Sequence, residues 1–116
     1  MKKFNYISSA IRTFKIESEA INNLSKQINK DFVSLCDAIR LNEGKFIIMG
    51  VGKSGHIGQK ISATLSSTGT GSIFIHPTEA AHGDLGLIRK RDIVFLISNS
   101  GETYEIINIL PSLKRL

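Results

Sequence analysis

Three apolar runs constrain this chain more than anything else in it. "KFIIMGVG", "GSIFIHP" and "DIVFLISNS" are short, continuous rather than alternating, and close on glycine, proline or hydroxyl-bearing residues. A strand with one face in water alternates, whereas a strand covered on both faces does not. The runs therefore predict strands of a parallel sheet with helices on both sides. Between the first two, "SGHIGQKISATLSSTGTG" sets Ile57, Ile61 and Leu65 on one helical face. After the third, "GETYEIINILPSLKRL" does the same with Ile106, Ile109, Leu110 and Leu113. The stretch between the second and third runs reads as a loop. Pro111 lacks an N–H and is expected to kink the last helix or break its hydrogen bonding. The pattern is α/β with right-handed crossovers. Doubly wound sheets usually have about five strands or more. Three are supplied here, and a fourth is due just beyond Leu116.

Upstream, residues 13 to 41 carry helical spacing. Ile16, Ala20, Ile21, Leu24 and Ile28 recur at steps of three and four, and Phe32, Leu35, Cys36 and Ile39 continue the stripe. These positions are expected to form core or a subunit contact. Asp31 is the expected start of a second helix. "NEG" at 42 to 44 ends it, with Gly44 free to take a left-handed turn. The organisation expected is two helices over 1–44, then an α/β portion over 45–116.

At 116 residues the chain has room for one small domain. Its hydrophobic fraction of 41% fits a folded core rather than disorder. No apolar window approaches the ~18 residues of a membrane span, and "MKKFNYISSA" lacks a signal-peptide apolar region. One cysteine, Cys36, allows no internal disulfide, so a cytoplasmic location is expected. The net charge of +5 is dispersed. Its only run, Arg89–Lys90–Arg91, reads as a solvated turn and not as a nucleic-acid patch. A modest positive balance suits a small anionic ligand.

The glycine-rich stretch "MGVGKSG", residues 49 to 55, narrows the ligand. A nucleoside-triphosphate loop needs its first glycine at position 47, which is Ile47. Gly50, Gly52 and Gly55 fit a dinucleotide fingerprint, but the acidic residue expected after the second strand is absent; His76 and Pro77 stand there. The remaining reading is a monophosphate site shared with "SNSGET", residues 98 to 103. There Ser100 is the expected helix cap, with Thr103 one turn later on the same side. A helix N-terminus favours an anion, and Gly101 lets one approach the backbone. Both turns fall at the carboxyl ends of strands, where open α/β sheets place ligands.

"GVGKSGHIGQKISATLSSTGTGSIFIHPTEAAHGDLG" followed by "ISNSGET" resembles the sugar-isomerase (SIS) domain, and more narrowly the arabinose-5-phosphate isomerases. The resemblance runs from about Lys45 to Leu116. It implies a three-layer, flavodoxin-like fold around a five-stranded parallel sheet, and a homo-oligomer, usually a tetramer. It implies interconversion of D-arabinose 5-phosphate and D-ribulose 5-phosphate, in lipopolysaccharide or capsule sugar synthesis. By motif, Ser54, Ser98, Asn99, Ser100 and Thr103 would contact the sugar phosphate. Gly69 and Thr70 would line the pocket, and His76 and His82 would lie at the sugar. Lys53 and Glu105 match catalytic positions: a lysine can offset enediolate charge, and a carboxylate can shuttle the proton. No cofactor is implied as required, although His76 resembles a position where a divalent metal can bind. His56 reads as a helix-surface residue, and the bland reading of His82 is a loop imidazole bonded to Asp84 or to a backbone carbonyl.

The sequence departs from the family at Gly71, where proline is usual, and at Thr78, where glycine is usual. It also matches only the N-terminal part of the domain. The expectation is an exposed third-strand edge, a tendency to aggregate or to depend on oligomerisation, and impaired isomerase activity. The competing expectation is a sugar-phosphate sensor that binds without chemistry.

Overall fold

The structure, a computed structural model, describes residues 4–116. It forms two compact units, one ending at Cys36 and one beginning at Asp37.

The first unit is built on helix α1, Tyr6–Leu24, followed by a 3₁₀ turn, Ser25–Gln27, and the start of α2, Lys30–Leu41. Helix α1 begins seven residues before the stripe noted above, because Asn5 caps it: its Oδ1 accepts the Ser8 N–H at 3.0 Å. The cap of α2 is Asn29, whose Oδ1 accepts the Asp31 N–H at 2.8 Å. Asp31 therefore lies inside the first turn and is not the cap. No residue of α1 or α2 is buried, so the core reading of this stripe fails within the single chain. Cys36 is exposed as well.

The second unit carries the sheet. Strand β1, Phe46–Gly50, runs parallel to β2, Ser72–Phe74, on one side and to β3, Ile93–Ile97, on the other. The order β2-β1-β3 leaves β3 at an edge, with all five of its residues half-buried. Every residue of β1 is buried, as its unbroken apolar run requires. Helix α3, Gly52–Ser67, covers one face: Gly58 lies against Ile48 and Phe74. The other face holds the apolar core, in which Ile47 and Met49 meet Ile75, Ala80, Ile88 and Ile109. Ala80 belongs to the short helix α4, Pro77–Ala81, and Ile109 to α5, Tyr104–Arg115. The result is the three-layer α/β/α arrangement expected. Burying each large apolar side chain of β1 contributes about 1.5–3 kcal/mol.

Two local expectations change. The stretch after His76 is not a bare loop, since it forms α4 and a 3₁₀ turn, Asp84–Leu87. Five residues are too few for a periodicity to show. Helix α5 continues through Pro111 to Arg115. The buried residues of α3 are Gly55, Gly58 and Ser62, while Ile57 on the stripe read from sequence is 56% exposed. Small residues bring this helix close to the sheet, so Ile57 turns outward while Ile61 and Leu65 are half-buried.

The amino ends of β1 and β3 are tied by Asp92. Its Oδ1 accepts the Lys45 N–H at 2.8 Å and its Oδ2 accepts the Arg89 N–H at 2.8 Å. Lys45 Nζ lies 3.1 Å from Oδ2, and the carboxylate is only 2% exposed. Gly44 serves this junction by its lack of a side chain. It has no positive φ, but a Cβ there would collide with the carbonyl of Arg91. The basic run is an exposed turn, closed by a hydrogen bond from Asp92 N–H to the Arg89 carbonyl at 2.9 Å.

Burial alone would push the Asp92 carboxyl up. The hydrogen bonds from Arg89 and Lys45, with the charge of Lys45, outweigh it and hold the pKa below the ordinary value of 3.8. A folded-state pKa below the unfolded one adds stability that is complete above the unfolded value and is lost as pH falls through the folded value. Asp92→Asn is therefore expected to lower stability by about 1–3 kcal/mol at neutral pH. Urea midpoints measured from about pH 7 down past about pH 4 check this: the gap to wild type should close in acid, and a constant gap would refute the assignment.

Candidate functional site

The site follows from the strand order. The chain passes from β1 to β2 on one side of β1, then returns to place β3 on the other. The two connections diverge between β1 and β3, the switch point where open α/β sheets leave a crevice. Gly50 pairs with Ile97, so Val51 and Ser98 leave the sheet side by side. Each leads within a few residues to a helix N-terminus, α3 at Gly52 and α5 at Tyr104. Two helix dipoles thus bring their positive ends to one edge.

Helix α3 begins abruptly. Gly52 has φ +57°, a value costly for any residue with a Cβ. Gly55 and Gly50 serve a different need: a Cβ on Gly55 would stand 2.7 Å from the Gly50 carbonyl oxygen. Their contact draws the first turn of the helix down onto the strand end. The N-cap is Val51, whose side chain can accept nothing, so the first N–H groups of α3 have no side-chain cap. The absence of a capping residue type before Gly52 was a readable signal that the sequence reading passed over. Ser54 is half-buried in this turn and Lys53 is exposed beside it.

The second turn is organised by its own hydroxyls. Ser98 Oγ accepts the Gly101 N–H at 3.0 Å and lies 2.7 Å from Thr103 Oγ1. Ser100 Oγ accepts the Glu102 N–H at 3.1 Å. Gly101 has φ +72°, which turns the chain back towards the helix. Thr103, not Ser100, is the N-cap of α5, and its hydroxyl makes no cap bond to the helix. The extra residues between Ser100 and the helix are taken up by the turn around Gly101. The first turn of α5 is thus also left without a side-chain cap, and Glu105 sits in it, half-buried. Asn99 and Ser100 are exposed. Lys53 and Glu105 enter none of the ion pairs among the described residues, which are Arg40–Asp37, Lys45–Asp92 and Arg91–Glu43.

His76 reaches the same edge from β2. The pairing of Ile48 with Phe74 is extended by a bond from Ile75 N–H to the Ile48 carbonyl at 3.0 Å. His76 is the N-cap of α4, its Nδ1 accepting the Thr78 N–H at 3.2 Å. His82 is the C-cap of that helix and is exposed, with no side-chain hydrogen bond to Asp84 among the described residues. His56 is exposed on α3, as expected.

Gly69 and Thr70 do not join this group within the chain. They follow the far end of α3, and the next residue, Gly71, offers its carbonyl to Phe46 N–H at 2.8 Å, at the amino end of β1. A helix of 16 residues separates them from Gly52, roughly 24 Å at 1.5 Å per residue. A helix that returns antiparallel to its strand carries its last residues away from the strand's carboxyl end. Among the described residues no three His, Cys, Asp or Glu side chains form a metal-holding group. No helix of the described chain is long and apolar enough to cross a membrane.

The chain has counterparts among known proteins. Residues 41–116 match the SIS domain family. The chain belongs to this family. It is 49% identical over 115 residues to the arabinose 5-phosphate isomerase KdsD of Pseudomonas aeruginosa, covering 99% of this chain and 35% of that protein. The KdsD of Yersinia pestis is 54% identical over 104 residues, covering 90% of this chain and 32% of that protein. Among solved structures, the Escherichia coli CFT073 protein c3406, in complex with arabinose 5-phosphate, superposes with a TM-score of 0.86 at 45% identity, over 97% of this chain and 61% of that one. The chain thus spans about a third of the length of the curated relatives it matches.

In this SIS fold the Gly50–Gly55 contact is the tightest constraint on the site. Gly55→Ala adds helix propensity of up to about 1 kcal/mol. The new methyl meets a backbone oxygen that cannot rotate away, at a cost of about 1–3 kcal/mol. The clash should win, lowering the urea midpoint, whereas Gly71→Ala, with nothing within 4 Å of its Cβ, should leave it nearly unchanged. Equal midpoints for the two variants would sink the close-packing account.

Proposed function

We propose that this chain forms the phosphate-binding and part of the catalytic wall of an isomerase that interconverts D-arabinose 5-phosphate and D-ribulose 5-phosphate. The observation that carries the reading is the convergence of two uncapped helix starts and the Ser98–Thr103 hydroxyl turn on one switch point. A phosphate dianion there would take N–H groups from both helices and hydroxyls from Ser54, Ser98, Ser100 and Thr103, with Asn99 at the rim. Family membership and the identity to two arabinose 5-phosphate isomerases support the sugar.

With the phosphate fixed, the sugar extends across the mouth of the crevice. Isomerisation opens the ring, removes a proton from C2 and returns one to C1 through an enediolate. Lys53, in the first turn of α3, offsets the oxyanion charge as it develops. Glu105, in the first turn of α5, moves the proton. His76 and His82 lie on the β2 side of the same edge. The domain works in the cytoplasm, on the route to lipopolysaccharide or capsule sugars.

A second reading is a sugar-phosphate-binding module without chemistry. It is favoured by the contrast between an ordered hydroxyl turn and the lack of ion-pair partners to orient Lys53 and Glu105. Turnover separates the two. On the isomerase reading, the chain extended to full domain length converts D-arabinose 5-phosphate to D-ribulose 5-phosphate, whereas residues 1–116 alone turn over little or none. Lys53→Ala should then reduce kcat by about 10²–10³-fold with little change in binding. Calorimetric binding of the sugar phosphate by that extended chain without any turnover would select the sensor.

The reading includes self-association, towards the tetramer usual in the family. Ile7, Ile11, Phe14 and Ile21 form one stripe along α1 and are each at least half exposed. A stripe of this spacing is normally covered. Sedimentation should give a multiple of the 12.8 kDa chain mass, and Ile21→Glu should shift it towards one chain. A wild-type protein that sediments as a single chain would refute this part.

A further inference from the structure

We infer that Asn99 is a site of spontaneous deamidation by the Ser100 backbone nitrogen, and that the carboxylate so formed closes the turn to phosphate. The modification does not depend on the proposed function, whereas its effect on phosphate rests on it. An asparagine loses ammonia when the next residue's backbone nitrogen reaches its side-chain carbonyl carbon. A small successor, a backbone outside regular structure and an N–H free of hydrogen bonds favour this ring closure. Of the seven asparagines, Asn99 has the smallest successor, Ser100. Asn22, Asn23 and Asn108 lie within helices, whose backbone is held by its own hydrogen bonds. Asn5 and Asn29 accept cap bonds through Oδ1, and Asn42 Nδ2 donates to the Lys45 carbonyl at 3.3 Å. Asn99 is exposed in the bend between β3 and α5. Among the described residues neither its carboxamide nor the Ser100 N–H takes part in a hydrogen bond.

The step needs only water. A solvent base takes the Ser100 N–H proton, and the nitrogen bonds to Asn99 Cγ. The Cγ–Nδ2 bond then breaks, and Nδ2 takes a proton from solvent and leaves as ammonia. Water opens the resulting cyclic imide at Cγ to give aspartate, or at the main-chain carbonyl to give the isoaspartyl linkage. Nothing is oxidised or reduced, and either product carries a negative charge where the amide was neutral. The attacking nitrogen and the tetrahedral intermediate are anionic as well. Ser100 stands just ahead of α5, whose start has no side-chain cap, so the positive pole that suits a phosphate also favours ring closure. The new carboxylate then stands at the rim of the phosphate turn and repels a dianion. A phosphate already bound acts in the opposite sense: its charge opposes the anionic step and protects Asn99.

Mass spectrometry and calorimetry test the two halves separately. The wild-type chain, held folded at mildly alkaline pH without phosphate, should gain a single mass unit. Peptide mapping should place the gain at Asn99, as aspartyl and isoaspartyl forms, before any other asparagine reacts. Asn99→Gln should lack it, because glutamine must close a larger ring and does so far more slowly. No gain, a gain first at another asparagine, or an equally fast gain in Asn99→Gln overturns the site. Saturating inorganic phosphate should slow the wild-type reaction severalfold. Asn99→Asp should bind inorganic phosphate about tenfold more weakly than Asn99→Gln, a comparison in which both variants have altered the rim and one has charged it. A rate unchanged by bound phosphate, or equal affinity in the two variants, overturns the closing of the turn. A wild-type chain that deamidates at Asn99 but binds no inorganic phosphate overturns the proposed phosphate site and this closing together, and leaves the modification standing.

Discussion

The close approach of Gly55 to the Gly50 carbonyl holds the rest of the site in place. An uncapped helix start attracts an anion only if it is presented where one can enter. Here the absence of two Cβ atoms lets α3 begin almost on the strand end, with Gly52 at φ +57° making the reversal. Gly58, one turn further on, keeps the helix down against Ile48 and Phe74. A bulkier residue at either position would tilt α3 away and carry Ser54 and Lys53 with it. The glycines of "MGVGKSG" are thus mainly packing devices, and the polar residues among them inherit their positions.

The parallel register completes the arrangement. Gly50 opposite Ile97 makes the two turns leave the sheet together, and Asp92 fixes that register from the other end by holding the starts of β1 and β3. A charged residue buried to 2% exposure is tolerable only because backbone donors and Lys45 satisfy both oxygens. The two ends of the sheet therefore divide the labour. The amino end is tied through the Asp92 carboxylate, while the carboxyl end leaves two helix starts without side-chain caps.

The architecture was legible because continuous apolar runs can be little else than strands covered on both faces, and β1 is buried throughout. The hydroxyl turn was legible as chemistry but not as geometry. Ser100 had the right residue type for a cap, yet Gly101 extended the turn and gave the cap to Thr103. The inner face of α3 was misread for a related reason. Periodicity finds large apolar residues, and this helix packs through Gly55, Gly58 and Ser62. The resemblance implies Gly69 and Thr70 at the pocket; within the single chain α3 carries them to the opposite end of β1. Asp92 could be read from spacing only as a local turn partner of Arg89, three residues before it; its tie to Lys45 exists only through the fold.

In the proposed phosphate site, Ser98 must change partners before it can donate to the ligand. Ser98 and Thr103 now bond to each other at 2.7 Å, and one proton lies between the two oxygens. Ser98 Oγ also accepts the Gly101 N–H, so donating to Thr103 and donating to a ligand compete for its single proton. Thr103 is not so encumbered: if Ser98 donates to it, its own proton is free for an incoming oxygen. Binding can then begin at Thr103 and the helix N–H groups without breaking any bond. Exchanging a neutral hydroxyl pair for charge-assisted bonds to a phosphate favours the liganded turn, because such bonds are roughly twice as strong as neutral ones. The same internal bonds hold the turn in shape before the ligand arrives, so little backbone ordering remains to be done on binding. A turn of this kind is preorganised by groups that the ligand later recruits, which is why it carries more hydroxyls than capping one helix requires.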